Sequence, residues 1–181
     1  MWRNFLPAAA FLVLGALLAF ALVRIGSGKL DVHEIKSPLI GRTAPPFTLP
    51  SVLEPSRQVA SSSLAGHMYV LNVWGTWCAA CREEHDALLE IARRGGVPLI
   101  GIDWRDERGL AVQYLSELGN PYQEVASDSD GRSAINWGVY GAPETFLVSA
   151  DGKVLEKHIG PLTAAIWQEK FVPLISRGAQ P

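Results

Sequence analysis

Tyr69-Val70-Leu71-Asn72-Val73-Trp74-Gly75-Thr76-Trp77-Cys78-Ala79-Ala80-Cys81 is the stretch on which the reading of this chain turns. Its first six residues are mostly apolar and lie between Gly66 and Gly75, which predicts a buried strand. The residues after it predict a helix over 78–94. Leu88, Ile91 and Ala92 extend an apolar stripe from Cys81, and Gly95-Gly96 ends it. The two cysteines therefore stand at a strand-to-helix junction. A helix N-terminus presents unpaired N–H groups and about half a positive charge, so it favours a thiolate at Cys78 and supplies a nucleophile near neutral pH. Cys81, one turn along, faces back toward Cys78 and can close a disulfide or resolve a mixed one. Cys78 is expected exposed at the helix start and Cys81 shielded by the turn.

Other uses of two cysteines fit less well. A structural disulfide across so short a loop removes little denatured-state entropy. A zinc site needs four ligands, and the chain has no second cysteine pair. Covalent haem attachment needs a His after the second Cys, where Arg82 stands. A copper-handling domain on such a scaffold usually has three residues between its cysteines. No metal and no cofactor are expected. Glu84 and His85 follow Cys81 by three and four residues and share its helical face. A carboxylate near a buried thiol can take its proton, so Glu84 is a candidate catalytic residue with Cys78 and Cys81. The plainer alternatives are a solvated Glu84 and a hydrogen-bonded, partly buried His85. Asn72 can hydrogen-bond but not titrate.

Working outward, residues 97–104 predict a second buried strand and 107–118 a helix, stopped by Gly119-Asn120-Pro121. A short helix is expected at 132–137. Strands are expected at 145–149 and 154–159, around the hairpin signal Asp151-Gly152, and a closing helix at 163–175. Residues 39–67, with Pro45-Pro46, Pro50 and Pro55, suggest short strands or a hairpin. Parallel β/α units followed by an antiparallel pair make an α/β layered sheet, whose chemistry sits at the carboxyl ends of the strands. Val139-Tyr140-Gly141-Ala142-Pro143-Glu144-Thr145 is a second constellation. A cis Ala142–Pro143 bond would set backbone beside the cysteine pair, where a substrate peptide could add as a strand, with Glu144 near the same mouth.

The N-terminus is different in kind. Residues 5–23 carry no charge, between Arg3 and Arg24. As a helix they would span roughly 28 Å, close to the bilayer core of about 30 Å. A signal-like Ala19-Phe20-Ala21 site is present, but the apolar run continues past it, so an uncleaved membrane anchor over 1–25 is expected. A polar tether over 26–38, a catalytic domain over 39–177 and a tail over 178–181 follow. Residues 1–30 carry +3 and residues 31–181 carry −5 within a net charge of −2. No basic excess marks a nucleic-acid face. The positive-inside count does not orient the anchor. The redox chemistry does, because protein disulfides persist outside the cytoplasmic thiol pool.

At these motifs the chain resembles the thioredoxin-fold thiol:disulfide interchange proteins of the DsbE/CcmG family. The resemblance covers roughly 39–176. It is carried by Trp77-Cys78-x-x-Cys81-Arg82-x-Glu84-His85, Glu117-Leu118-Gly119-Asn120-Pro121-Tyr122 and Gly138-Val139-Tyr140-Gly141-Ala142-Pro143-Glu144-Thr145, with Asp151-Gly152 and His158. It implies a thioredoxin-like fold with an N-terminal hairpin extension, anchored by a single N-terminal transmembrane helix in the bacterial inner membrane and facing the periplasm. It implies a disulfide reductase acting on the Cys-x-x-Cys-His disulfide of apocytochrome c, so that haem can be attached. Recharging would come from a DsbD- or CcdA-type membrane thiol carrier, with other cytochrome c maturation proteins as further partners. Carried onto this chain, Cys78 is the nucleophile, Cys81 the resolving thiol and Glu84 the acid near the pair. Trp77, Ala142, cis-Pro143 and Glu144 line the substrate groove. Thioredoxin has an aspartate where Asn72 stands, so proton handling falls to Glu84. One departure is Ala79-Ala80, where the family commonly begins with Pro; this dipeptide tunes the redox poise. The alternatives are a general envelope thiol reductase, a thioredoxin-like peroxidase, or a membrane-tethered copper or zinc chaperone using Cys78, Cys81 and a histidine such as His158.

Overall fold

The computed structural model describes residues 11–20 and 37–178. The chain divides into two compact units, Met1–Lys36 and Ser37–Pro181. In the first, residues 11–20 are helical and exposed. Ten helical residues reach only about 15 Å, half a bilayer core. Among the described residues no helix is long and apolar enough to cross a membrane. The rest of the expected anchor, nearly all of the tether and the last three residues lie outside the described residues.

The second unit is built on a five-stranded sheet in the order β5-β4-β3-β6-β7. Its strands are β3 (Tyr69–Trp74), β4 (Leu99–Trp104), β5 (Glu124–Asp128), β6 (Glu144–Val148) and β7 (Val154–Ile159). β3, β4 and β5 run parallel; β6 is antiparallel to β3, and β7 to β6. The helices α1 (Ala79–Arg94) and α2 (Arg108–Leu118) are the expected crossovers of the parallel units. A closing run α4 is α-helical over Ala164–Ile166, π-helical over Trp167–Phe171 and α-helical again over Val172–Gly178. Strand alternation divides the core in two. Val70, Trp74 and Leu99 pack on one face with Leu88 and Ile91 of α1, Tyr114 and Leu115 of α2, and Trp167 and Phe171 of α4. Leu71, Val73, Ile100 and Ile102 pack on the other, with Phe47, Val59 and Trp137. The short helix α3 (Arg132–Asn136) belongs to this second layer through Ala134.

The hairpin expected in 39–67 is β1 (Thr48–Pro50) paired antiparallel with β2 (Gln58–Ala60). It covers the outer edge of β5: Ser51 bridges Ala126, the Val52 N–H donates to the Val125 carbonyl, and Arg57 grips the Glu124 carboxylate through two guanidinium nitrogens. β5 itself has no sequence signature. Glu124, Ser127 and Asp128 leave it only two apolar residues, and Asp128 is buried because its carboxylate accepts the Ser133 and Ala134 N–H groups at the start of α3. The mixed sheet between helical layers, with its N-terminal hairpin, is the thioredoxin-like arrangement the sequence implies.

Candidate active site

The topology brings the two motifs together. β3 ends where β6 begins, because the two are antiparallel neighbours and Val73 sits opposite Glu144. The loop after β3 carries the cysteines, and the loop before β6 carries Ala142-Pro143. Cys78 is the N-cap of α1, and Cys78 and Cys81 are joined by a disulfide. The Cys81 N–H donates to Cys78 Sγ over 3.0 Å, the bond that favours a thiolate there when the pair is reduced. The Ala142–Pro143 bond is cis, and the Ala142 carbonyl oxygen lies 3.3 Å from Cys78 Sγ. That carbonyl partly covers the sulfur. Cys78 is consequently only slightly more accessible than Cys81, 6% against 3%, rather than openly exposed as expected.

Trp77 is more than half exposed next to the pair. Its indole Nε1–H donates to the Trp104 carbonyl at 3.1 Å, and its ring tilts against that of Trp104. Asp106 accepts the Thr76 N–H and hydroxyl, which ties the loop before Cys78 to the end of β4.

Glu84 is buried rather than solvated, at 1% exposure. Its Oε1 accepts from Asn72 Nδ2 at 2.9 Å and its Oε2 from the Leu162 N–H at 2.7 Å. Burial pushes its carboxyl up to about 7, against these two donors, which act to lower it. His85 takes the plainer role: buried, it meets the Gly119 carbonyl at 3.0 Å and the edge of Tyr114. That contact is the physical link between the Glu84-His85 motif and the Gly119-Asn120-Pro121-Tyr122 motif.

Glu144 departs from the expected groove lining. Strand alternation turns it, with Phe146 and Val148, to the face opposite Thr145 and Asn72. There it is fully buried and ion-paired to Lys157 of β7 at 2.7 Å. The Tyr140 N–H donates to its Oε1 at 3.2 Å, and Lys157 Nζ also donates to the Gly138 carbonyl at 2.9 Å. Glu144 thus braces the Gly138–Pro143 loop from behind. His158 Nε2 is engaged with the Pro161 carbonyl at 3.3 Å, and among the described residues no group of three His, Cys, Asp or Glu side chains is placed to hold a metal ion.

The buried carboxyl gives one expected outcome. A carboxyl held at about 7, above its ordinary 4.5, binds its proton more tightly in the folded chain. The stability this brings is complete below about pH 4.5 and is lost as pH rises through about 7. Asp103, pushed up to about 8 first by burial and then by Asp106, acts in the same direction. His158, pushed down by burial, acts in the opposite one. Glu84→Gln should therefore make urea-unfolding stability fall less steeply from about pH 5 to about pH 8, by about 3 kcal/mol. An unchanged slope would show that Glu84 does not titrate in this range.

The profile of the Redoxin family matches residues 39–170. The chain is 41% identical over 175 residues to the thiol:disulfide interchange protein DsbE of Allochromatium vinosum, covering 97% of this chain and 93% of the relative. It is 38% identical over 170 residues to DsbE of Escherichia coli, covering 93% and 91%. Among solved structures, a thiol:disulfide interchange protein of the thioredoxin family from Chlorobium tepidum matches with a TM-score of 0.61 at 25% identity, over 75% of this chain and 94% of that one. A secreted thiol-disulfide isomerase from Corynebacterium glutamicum, 22% identical, shares the fold with a TM-score of 0.67 over 81% of this chain and 98% of that one. With relatives of this similarity spanning nearly its whole length, the chain belongs to the redoxin family, among the DsbE thiol:disulfide interchange proteins, and is a thiol-disulfide oxidoreductase.

Proposed function

We propose that the chain is a reductant of protein disulfides, held to the bacterial inner membrane by residues 1–25 with its catalytic domain in the periplasm. Its substrate is the Cys-x-x-Cys-His disulfide of apocytochrome c, and a DsbD- or CcdA-type membrane thiol carrier recharges it. Other cytochrome c maturation proteins are further partners. The Cys78 thiolate attacks a substrate sulfur, the substrate disulfide breaks, and one substrate sulfur leaves as a thiolate. The Cys81 thiolate then attacks Cys78 Sγ, re-forming the Cys78–Cys81 disulfide and releasing the fully reduced substrate. Glu84, one turn beyond Cys81, takes the resolving thiol's proton.

The observation that carries the direction is the buried carboxylate of Glu84 behind a sulfur pair that is itself buried. Negative charge and desolvation both raise the cost of a thiolate at Cys81, and this opposes the Cys81 N–H bond that favours one at Cys78. A dithiol that holds thiolate at a cost passes on its electrons more readily, which lowers the potential of the pair. Trp77, more than half exposed next to the pair, gives a peptide apolar surface beside Cys78.

The test is the reduction potential of the full-length chain together with its rate on an oxidised Cys-x-x-Cys-His peptide. A potential near about −270 mV with rapid peptide reduction is expected, whereas a potential near about −120 mV would make the protein an oxidant and overturn the reading.

A further inference from the structure

Asn72 sits mid-strand in β3, with Gly101 of β4 on one side and Thr145 of β6 on the other. A Cβ at Gly101 would lie 3.0 Å from Tyr122 Cγ and 2.9 Å from Trp74 Nε1. The glycine therefore opens the space that the Tyr122 ring fills, stacked on Trp74 at 5.7 Å. From there the Tyr122 hydroxyl donates to Asn72 Oδ1 at 2.7 Å. The other end of the amide, Nδ2, donates to Glu84 Oε1 at 2.9 Å and to Thr145 Oγ1 at 3.0 Å.

These partners leave the amide one orientation while Glu84 is ionised. A carboxylate only accepts, so the nitrogen faces Glu84 and the oxygen faces Tyr122, whose hydroxyl must donate. A protonated Glu84 would have to place its own proton against the Asn72 or the Leu162 N–H. Turning the amide over would relieve that conflict, but the buried phenol proton would then lose its acceptor. Burial first, and then the neighbouring Glu84, hold the Tyr122 phenol well above its usual range, so it remains a donor.

We propose that Tyr122 is a positioning residue: it locks the Asn72 amide and through it sets how readily Glu84 accepts a proton from the cysteine pair. The inference rests on the proton-handling role given to Glu84. Other ionisable side chains on this side of the sheet are the buried His85 of α1, set against Tyr114 of α2, with Asp103 from β4, Glu156 and His158 from β7 and Lys170 from α4, and with Arg82 and Asp86 on the exposed side of α1. None of them changes in the variants below.

The test follows the Glu84 side chain by carboxyl-carbon NMR in the oxidised full-length chain, where the cysteines do not titrate. Tyr122→Phe keeps the ring and its stacking and removes only the hydroxyl. The Glu84 midpoint should rise by about one pH unit, because the freed amide can turn its oxygen to a protonated carboxyl. In an Asn72→Ala background the same change should move nothing further. An unmoved midpoint in Tyr122→Phe, or an equal shift in both backgrounds, overturns the lock. If the midpoint moves while the pH profile of disulfide reduction stays put, the lock stands and the proton-handling role of Glu84 falls.

Discussion

Cys81→Ser is expected to stop the reaction half-way. The variant keeps the backbone N–H that donates to Cys78 Sγ and keeps the N-cap geometry of α1, so the attacking thiolate survives. It lacks the sulfur that would displace substrate from Cys78. Mixed with an oxidised protein or peptide disulfide, it should accumulate one covalent adduct per chain through Cys78. Turnover should fall at least about a thousandfold, because an intramolecular thiol is replaced by whatever thiol diffuses in. Mass spectrometry under non-reducing conditions reads the adduct directly. Cys78→Ser should show neither adduct nor turnover. An adduct on Cys81 in that variant would reverse the two roles.

The second large effect belongs to Lys157. It is nearly as buried as its partner Glu144, and the pair also takes up the Tyr140 N–H and the Gly138 carbonyl. Lys157→Met would leave a buried carboxylate with one backbone donor, a loss expected to cost about 3–5 kcal/mol of unfolding free energy. For a domain of this size the midpoint of thermal unfolding should drop by roughly 10 °C. Adding Glu144→Gln should restore most of the loss, since removing both charges relieves what removing one creates. Denaturant unfolding of the two variants checks this. A Lys157→Met protein as stable as its parent would show that the pair contributes nothing net.

The sequence shows the centre of the molecule plainly and its margins poorly. The run Tyr69–Trp74 and the stripe behind Cys81 predict β3 and α1 within a residue, because a fully buried strand and an amphipathic helix both write their burial into composition. Asp151-Gly152 marks the turn between β6 and β7 for the same local reason. β5 stays hidden because its polar residues are satisfied at a distance: Glu124 by Arg57 from the hairpin, Asp128 by the first turn of α3. Glu144 is next to Pro143 in sequence, which suggests the groove. The period of two from Phe146 would have turned it to the opposite face. Tyr122 carries no chemical signature of its own. The available hint is Gly101, a lone glycine in a mostly apolar strand, where close approach of another group is the usual cause.

The single reactive sulfur beneath the Ala142 carbonyl fixes the order of events for the whole molecule. The chain has two cysteines, which hold one pair of electrons as a dithiol, none once joined in the one bond, and no reserve behind it. Electron donor and electron acceptor must use the same doorway, so neither can dock while the other is bound. The kinetics are those of a shuttle that empties before it refills, and a surplus of either partner in the wrong redox state holds the doorway shut against the other.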